Sequence, residues 1–290
     1  MKSVFAVAAI VAAILSAPMP AGAVDKTTWT RPVTPFRIVG NIYYVGTQGV
    51  AAYLITSGHR AVLLDATLEE NAPLIERNIE ALGFRLKDVK IILNSHAHSD
   101  HAGAIARLRH DSGAQFYASD GDRRALEHGR HDSDTDYPTG HFPPVHVDHV
   151  VRDGEVVALG DVRLTATLTP GHTKGCTTWS TRVKDGGRTL NVVFACSLSV
   201  AGNILVGNKA YPDIARDYVR SFDRLDAMPA DVVLTNHPEF ADVLGREVRA
   251  QAGDINAFVD PALLHRIVTD ARNDFQAELA KAQSEAKTGK

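Results

Sequence analysis

The stretch Asn94-Ser95-His96-Ala97-His98-Ser99-Asp100-His101-Ala102-Gly103 places four side chains of metal-ligating type within six residues. It follows an apolar, β-branched run, Val89–Leu93, and precedes a stretch of helical spacing, so the ligating residues emerge at a strand-to-helix turn. His96 and His98, two apart in extended chain, point to the same side and can share one metal. Asp100 and His101 fall on the turn or the first helical residues and can reach a second. Imidazoles with a single carboxylate suit zinc better than calcium or magnesium, which prefer all-oxygen shells, while iron and manganese also fit on ligand chemistry alone.

Two further histidines sit in matching places. Thr169-Pro170-Gly171-His172 follows one strand pattern and Thr235-Asn236-His237-Pro238 follows another, and strand ends along one edge of a sheet converge. A lone strand-end histidine is more often a cap or a surface residue than a ligand. Five histidines and one aspartate in this arrangement instead meet the count and type that a two-metal centre needs. His59, His110, His128, His131, His141, His146, His149 and His265 lack such context and read as surface or loop residues.

Outward from this centre, the runs 36–45, 51–56, 61–64 and 89–93 read as strands, and 74–82 as a helix opened by Glu69-Glu70-Asn71 and closed by Gly83. The second half repeats the theme, with strands near 155–158, 162–168, 177–183, 191–195 and 231–235 and a helix over 214–226. Two sheets packed face to face with helices outside is the layered solution for this order. Residues 130–149, with Asp132, Asp134 and Asp136 followed by Pro138, Pro143 and Pro144, read as a long functional or mobile loop, and 261–286 as a surface helix fraying into a polar tail.

At the amino terminus Lys2 precedes an apolar run, 4–15, then Pro18, Pro20 and Ala21-Gly22-Ala23, the pattern of a secretory signal peptide cleaved after Ala23. The run is too short to span a bilayer. Residues 24–290 are then of a length for a single large α/β domain, expected in the periplasm, with no membrane association after signal removal. Losing Lys2 leaves 30 basic against 34 acidic residues, with no basic block, so nucleic acid is excluded as a partner. No heptad or long apolar stripe argues for assembly, and a monomer is the default expectation. Two cysteines, Cys176 and Cys196, are too few to hold a fold. They flank strands joined by Lys184-Asp185-Gly186-Gly187-Arg188, and a hairpin paired about Gly186 sets them opposite one another, so a disulfide is expected in an oxidising compartment.

The HxHxDH run at 96–101, Gly171-His172-Thr173 and the final His237 resemble the metallo-β-lactamase superfamily over most of the chain, which implies a four-layer αβ/βα sandwich. Phe142-Pro143-Pro144, residues 171–179, Tyr211-Pro212 with Asp217-Tyr218, and 231–238 resemble the third subclass of class B β-lactamases in particular. The resemblance implies two zinc ions, one held by His96, His98 and His172 and the other by Asp100, His101 and His237. Members with Gln at the first ligand position are not matched, since His96 is present. In Phe194-Ala195-Cys196-Ser197-Leu198-Ser199, Ser197 stands where glyoxalase-type relatives carry a bridging aspartate. A one-residue shift would instead make Cys196 a ligand and point Ser197 away.

The activity implied is hydrolysis of the β-lactam amide bond of penicillins, cephalosporins and carbapenems by a zinc-bound hydroxide that Asp100 orients. Ser197 and Ser199 would bind the substrate carboxylate, or else merely satisfy strand-end backbone. Asn203 and Tyr137 are weaker candidates for the cleft wall, and Asp65 for orienting a ligand histidine. The rival readings are a lactonase, thioester hydrolase or phosphodiesterase of the same fold, and a non-catalytic zinc-binding protein.

Overall fold

The computed structural model describes residues 26–136 and 140–288. The expected signal peptide and Tyr137 lie outside the described residues. Among those described, twelve strands form two sheets. The first is built from β1 (Phe36–Val39), β2 (Ile42–Tyr44), β3 (Tyr53–Ser57), β4 (Arg60–Leu64), β5 (Val89–Leu93), β6 (Gln115–Ser119) and β7 (His149–Val151), side by side in that order. Pairing is antiparallel from β1 to β4 and parallel from β4 to β7. The parallel crossovers carry α1 (Ala72–Ala81), α2 (Ser99–Ala102), α3 (Ile105–Ser112) and α4 (Asp120–His128).

The second sheet contains β8 (Val156–Leu159), β9 (Val162–Leu168), β10 (Thr177–Asp185), β11 (Arg188–Ala195) and β12 (Val232–Thr235), in spatial order β12-β11-β10-β9-β8. Helices α5 (Ile214–Asp226), α6 (Val243–Gln251) and α7 (Leu263–Thr288) complete this half.

The alternation of side chains along each strand explains the layers. On β3, Ile55 faces the core between the sheets while Leu54 faces the helices. On β4, Val62 and Leu64 turn inward and Ala61 and Leu63 outward, so the strands are covered on both faces and read as continuous apolar runs. The inner core joins Ile55, Val62 and Leu64 to Leu164, Trp179 and Phe194 of the second sheet. Ile75 and Ile79 of α1 and Ile105 and Leu108 of α3 cover the first sheet outside, and Phe222 of α5 with Phe275 of α7 the second. The result is a four-layer αβ/βα sandwich.

Several boundaries differ from the sequence reading for local reasons. The run 36–45 is a hairpin, because Gly40, at φ 54°, turns the chain between β1 and β2. The elements β6, β7, α4 and α6 do not stand out in the sequence, since each is short or of mixed pattern. The tail is helical from Leu263 and is seated on the body by Leu264, Val268 and Phe275. The β10–β11 hairpin turns through Gly186 and Gly187, both at positive φ, which sets Asp185 opposite Arg188 and Trp179 opposite Phe194. That register is one residue away from the one that faces Cys176 with Cys196. The two cysteines lie just outside the paired segment and still bond, with Cα atoms 5.9 Å apart.

The described part of 130–149 lacks long regular structure but is strapped down. Asp136 N donates to the Gly202 carbonyl at 2.9 Å, Ile204 N to the Asp134 carbonyl at 3.2 Å, and Lys209 N to Asp134 Oδ2 at 2.7 Å.

Candidate metal centre

The run after β5 crosses from one sheet to the other. Trp179 Nε1 donates to the Asn94 carbonyl at 3.2 Å and Thr177 N to the Ser95 carbonyl at 2.8 Å, which ties the start of the ligand run to β10. His98 keeps extended backbone and α2 begins at Ser99, so the chain changes from extended to helical between the two pairs of ligating residues.

Asp65, buried at the end of β4, organises the same run. Its Oδ1 accepts from Ser95 N at 2.7 Å and Asn94 Nδ2 at 3.0 Å, and its Oδ2 from Ser95 Oγ at 2.6 Å and Asn236 Nδ2 at 2.8 Å. The expected direct bond to a ligand histidine is not made. His101 Nδ1 lies 4.0 Å from Asp65 Oδ2, and the carboxylate works instead through Ser95 and through Asn236, the neighbour of His237.

The histidines and the aspartate converge as two triads. Donor atoms of His96, His98 and His172 lie within 4.8 Å of one another, and so do those of Asp100, His101 and His237. The ring centroids of His96 and His101 are 4.3 Å apart, so the triads share a wall. In four of the five imidazoles one nitrogen is engaged. His96 Nδ1 meets Ser95 Oγ at 3.0 Å, His98 Nε2 meets His131 Nδ1 at 3.0 Å, His172 Nδ1 donates to the Ser199 carbonyl at 2.7 Å, and His237 Nδ1 to the Gly49 carbonyl at 2.9 Å. The opposite nitrogen is thereby left for the shared space, which is how outer partners fix the tautomer of a metal-binding histidine.

Burial and mutual crowding hold His96 and His98 well below the usual imidazole range, and burial brings His172 down to about 4 despite the support of the Ser199 carbonyl. All three are neutral near pH 7 and offer lone pairs. Burial alone would raise the Asp100 carboxyl, but His101 and His237, each 3.3 Å from its Oδ2, hold it well below the carboxylate range. Burial opposes a proton on His237, yet Asp100 raises it above the ordinary value.

A divalent pair fits this set. The buried His96 Nε2 has no hydrogen-bond partner, His101 Nε2 lies 3.3 Å from Asp100, neutral imidazoles crowd one corner, and one ionised carboxylate sits among them. Cys176 and Cys196 also lie within reach of His96, but their sulfurs are joined to each other, so neither is a thiolate.

Around this centre, residues 196–200 alternate. Cys196, Leu198 and Val200 are buried while the hydroxyls of Ser197 and Ser199 stand on the outer side, 3.2 Å apart. The Ser199 carbonyl holds His172 Nδ1 and accepts from Tyr218 Oη at 2.8 Å. Gly171, at φ 144°, passes over the Tyr218 ring so closely that a Cβ would stand 2.8 Å from it, which explains the glycine before His172. Asn203 is buried and donates to the His172 carbonyl at 3.0 Å, so it braces a ligand segment from behind.

Three residues escaped the sequence reading. His131, which reads as a surface or loop residue, is in a loop but packs against His98 with ring centroids 4.8 Å apart. Burial lowers its pKa against the support of the Asn203 side chain. Asp122, in the first turn of α4, accepts from Ala97 N at 2.9 Å, Thr173 Oγ1 at 2.8 Å and Gly175 N at 2.8 Å, joining the two ligand-bearing segments. Trp29 packs on His237 with centroids 5.6 Å apart. No spacing in the sequence ties these residues to the histidines, because each reaches the site from a separate element.

A sequence profile described as the Metallo-beta-lactamase superfamily matches residues 45–237. Among solved structures the chain is similar to BJP-1, a subclass B3 metallo-beta-lactamase of Bradyrhizobium japonicum, with 40% identity and a TM-score of 0.86 over 90% of this chain and 98% of that one. It is similar to the native FEZ-1 metallo-beta-lactamase of Legionella gormanii, with 40% identity and a TM-score of 0.84 over 88% and 98%. A curated relative, the hydroxyacylglutathione hydrolase of Fuscovulum blasticum, is 32% identical over 116 residues, 40% of this chain; that match spans only 36% of the relative's length. The profile reaches to His237, the last histidine of the two triads, and the likeness to the subclass B3 structures is nearly end to end: the chain belongs to the metallo-beta-lactamase superfamily.

Proposed function

We propose that this hydrolase is a class B β-lactamase of the third subclass, acting on penicillins, cephalosporins and carbapenems. His96, His98 and His172 would hold one zinc ion, and Asp100, His101 and His237 a second. When bound, the pair supplies a Lewis acid and an activated water at neutral pH.

The chain's own residues do the rest. Asp100 presents Oδ2 to both of its histidines, which leaves Oδ1 to accept a hydrogen bond from the attacking water and hold it in line. Asp65 and Asp122 fix the segments that carry the ligands, so the donors need little reorganisation. Ser197 and Ser199 offer neighbouring hydroxyls beside His172, suited to a substrate carboxylate. The observation that carries the substrate reading is this outward pair of hydroxyls where a bridging acid would favour a thioester hydrolase. The Cys176–Cys196 disulfide suits an oxidising compartment and supports action in the periplasm.

A thioester hydrolase is the second reading, favoured by the partial match to hydroxyacylglutathione hydrolases. Hydrolysis of a chromogenic cephalosporin and a carbapenem is to be measured beside that of a hydroxyacylglutathione, with and without a zinc chelator. β-Lactam turnover lost on chelation and restored by zinc supports the first reading. Turnover of the thioester alone replaces it with the second.

A further inference from the structure

His98 and His131 form an imidazole pair to which neither the ligand run nor the family resemblance assigns a role. His98 Nε2 faces His131 Nδ1 at 3.0 Å, so Nδ1 of His98 is the nitrogen left for a metal. A ligating Nδ1 carries a lone pair, and the proton of neutral His98 must then sit on Nε2 and be donated to His131 Nδ1. His131 in turn carries its proton on Nε2, which is buried.

The seat of His131 is rigid although it lies in a loop. Lys174 Nζ meets Asp132 Oδ2 at 3.3 Å, and Asn208 Nδ2 donates to Ser133 Oγ at 3.1 Å and to the Asp134 carbonyl at 3.2 Å. Asp134 Oδ2 accepts from Lys209 N at 2.7 Å, and Thr135 Oγ1 donates to the Gly202 carbonyl at 3.1 Å. Residues 131–136 are thus strapped to 202–209, and the strap delivers an acceptor to the one ligand histidine of the first triad that no carbonyl or hydroxyl orients.

We infer that His131 is a positioning residue for the first metal site, fixing the tautomer and ring plane of His98 and making the affinity of that site depend on the 131–136 strap. This rests on the reading of His96, His98 and His172 as a metal triad, and it adds a residue that touches neither metal nor substrate. An outer partner of a ligand histidine typically sets metal affinity by about 10- to 100-fold.

The test is zinc titration of the metal-free full chain against a chromophoric chelator, for wild type, His131→Ala and His131→Asn, with a thermal melt of each metal-free protein. In His131→Ala one of the two zinc affinities should weaken by about 10-fold or more while the other holds. His131→Asn, whose side-chain carbonyl can still accept from His98, should recover most of the loss. Unchanged affinities in His131→Ala overturn the inference. An equal loss in both variants also overturns it, because packing rather than the accepting atom would then be responsible. A metal-free melt that shifts without a change in zinc affinity assigns His131 a structural role only. Absence of zinc binding by wild type would refute the metal triad itself, and the inference with it.

Discussion

Replacing both cysteines by serine isolates what the disulfide contributes. Cys176 and Cys196 are 20 apart in sequence, and the loop-closure entropy that such a cross-link removes from the unfolded chain corresponds to about 3 kcal/mol. The folded state should change little. The β10–β11 ladder holds its register from Trp179–Phe194 to Asp185–Arg188 without the bond. The buried serine hydroxyls would also find acceptors, since Cys176 Sγ lies 3.5 Å from the Ser197 carbonyl and Cys196 Sγ 3.4 Å from that of Ser95. Almost all of the loss is therefore expected through the unfolded state. Urea unfolding of the metal-free double variant should show a stability lower by about 3 kcal/mol, a melting temperature lower by about 6–12 °C, and a steeper denaturant dependence as the freed chain expands. Zinc stoichiometry should stay at that of wild type. A loss below about 1 kcal/mol would refute the entropic argument. A loss accompanied by a missing zinc ion would show instead that the disulfide, 3.8 Å from His96 Nδ1, supports the site directly.

Burial raises the Asp122 carboxyl to about 6, against the hydrogen bonds from Thr173, Gly175 and Ala97, so the folded state binds its proton more tightly than the unfolded chain does. Its contribution to stability is complete below about pH 4 and is lost as the pH rises through about 6, by on the order of 3 kcal/mol, so wild type minus Asp122→Asn should fall over that window in paired melts. Ser197→Ala and Ser199→Ala should each raise KM for a carboxylate-bearing β-lactam by about 5- to 10-fold, with zinc content unchanged, and an unaltered KM in the double variant would remove the serines from substrate binding. Free zinc at about 100 times its dissociation constant should stabilise the metal-free protein by about 2.7 kcal/mol, read as a rise in melting temperature that a chelator reverses.

The fold and the convergence of the candidate ligands were legible for the same reason: both rest on short, strongly patterned segments. Val89–Leu93 leads directly into His96–His101, and the strand ends before His172 and His237 bring their side chains to the same edge. β9 and α5 have the bounds that their patterns predict. What was not legible depends on contacts between distant segments. Asp65 reads as the orienter of a ligand histidine, yet it acts through Ser95 and Asn236 rather than on an imidazole directly. His131 looks like one of several loop histidines until residues 131–136 are tied to 202–209. The disulfide was expected from a register one residue away from that observed, because Gly186 and Gly187 together form the turn; the bond forms where the ladder ends.

The six candidate ligands come from both halves of the sandwich: four from the turn after β5 in one sheet, His172 from the segment between β9 and β10, and His237 from the end of β12. Bound ions would therefore act as a clasp across the cleft between the halves, and prising the sheets apart would require breaking metal–nitrogen bonds as well as exposing apolar surface. Zinc starvation should then lower the amount of this protein along with its activity, because the open form is the one that proteases cut. Limited proteolysis with and without a chelator measures this directly, and equal cleavage rates would show that the halves are held together by packing alone.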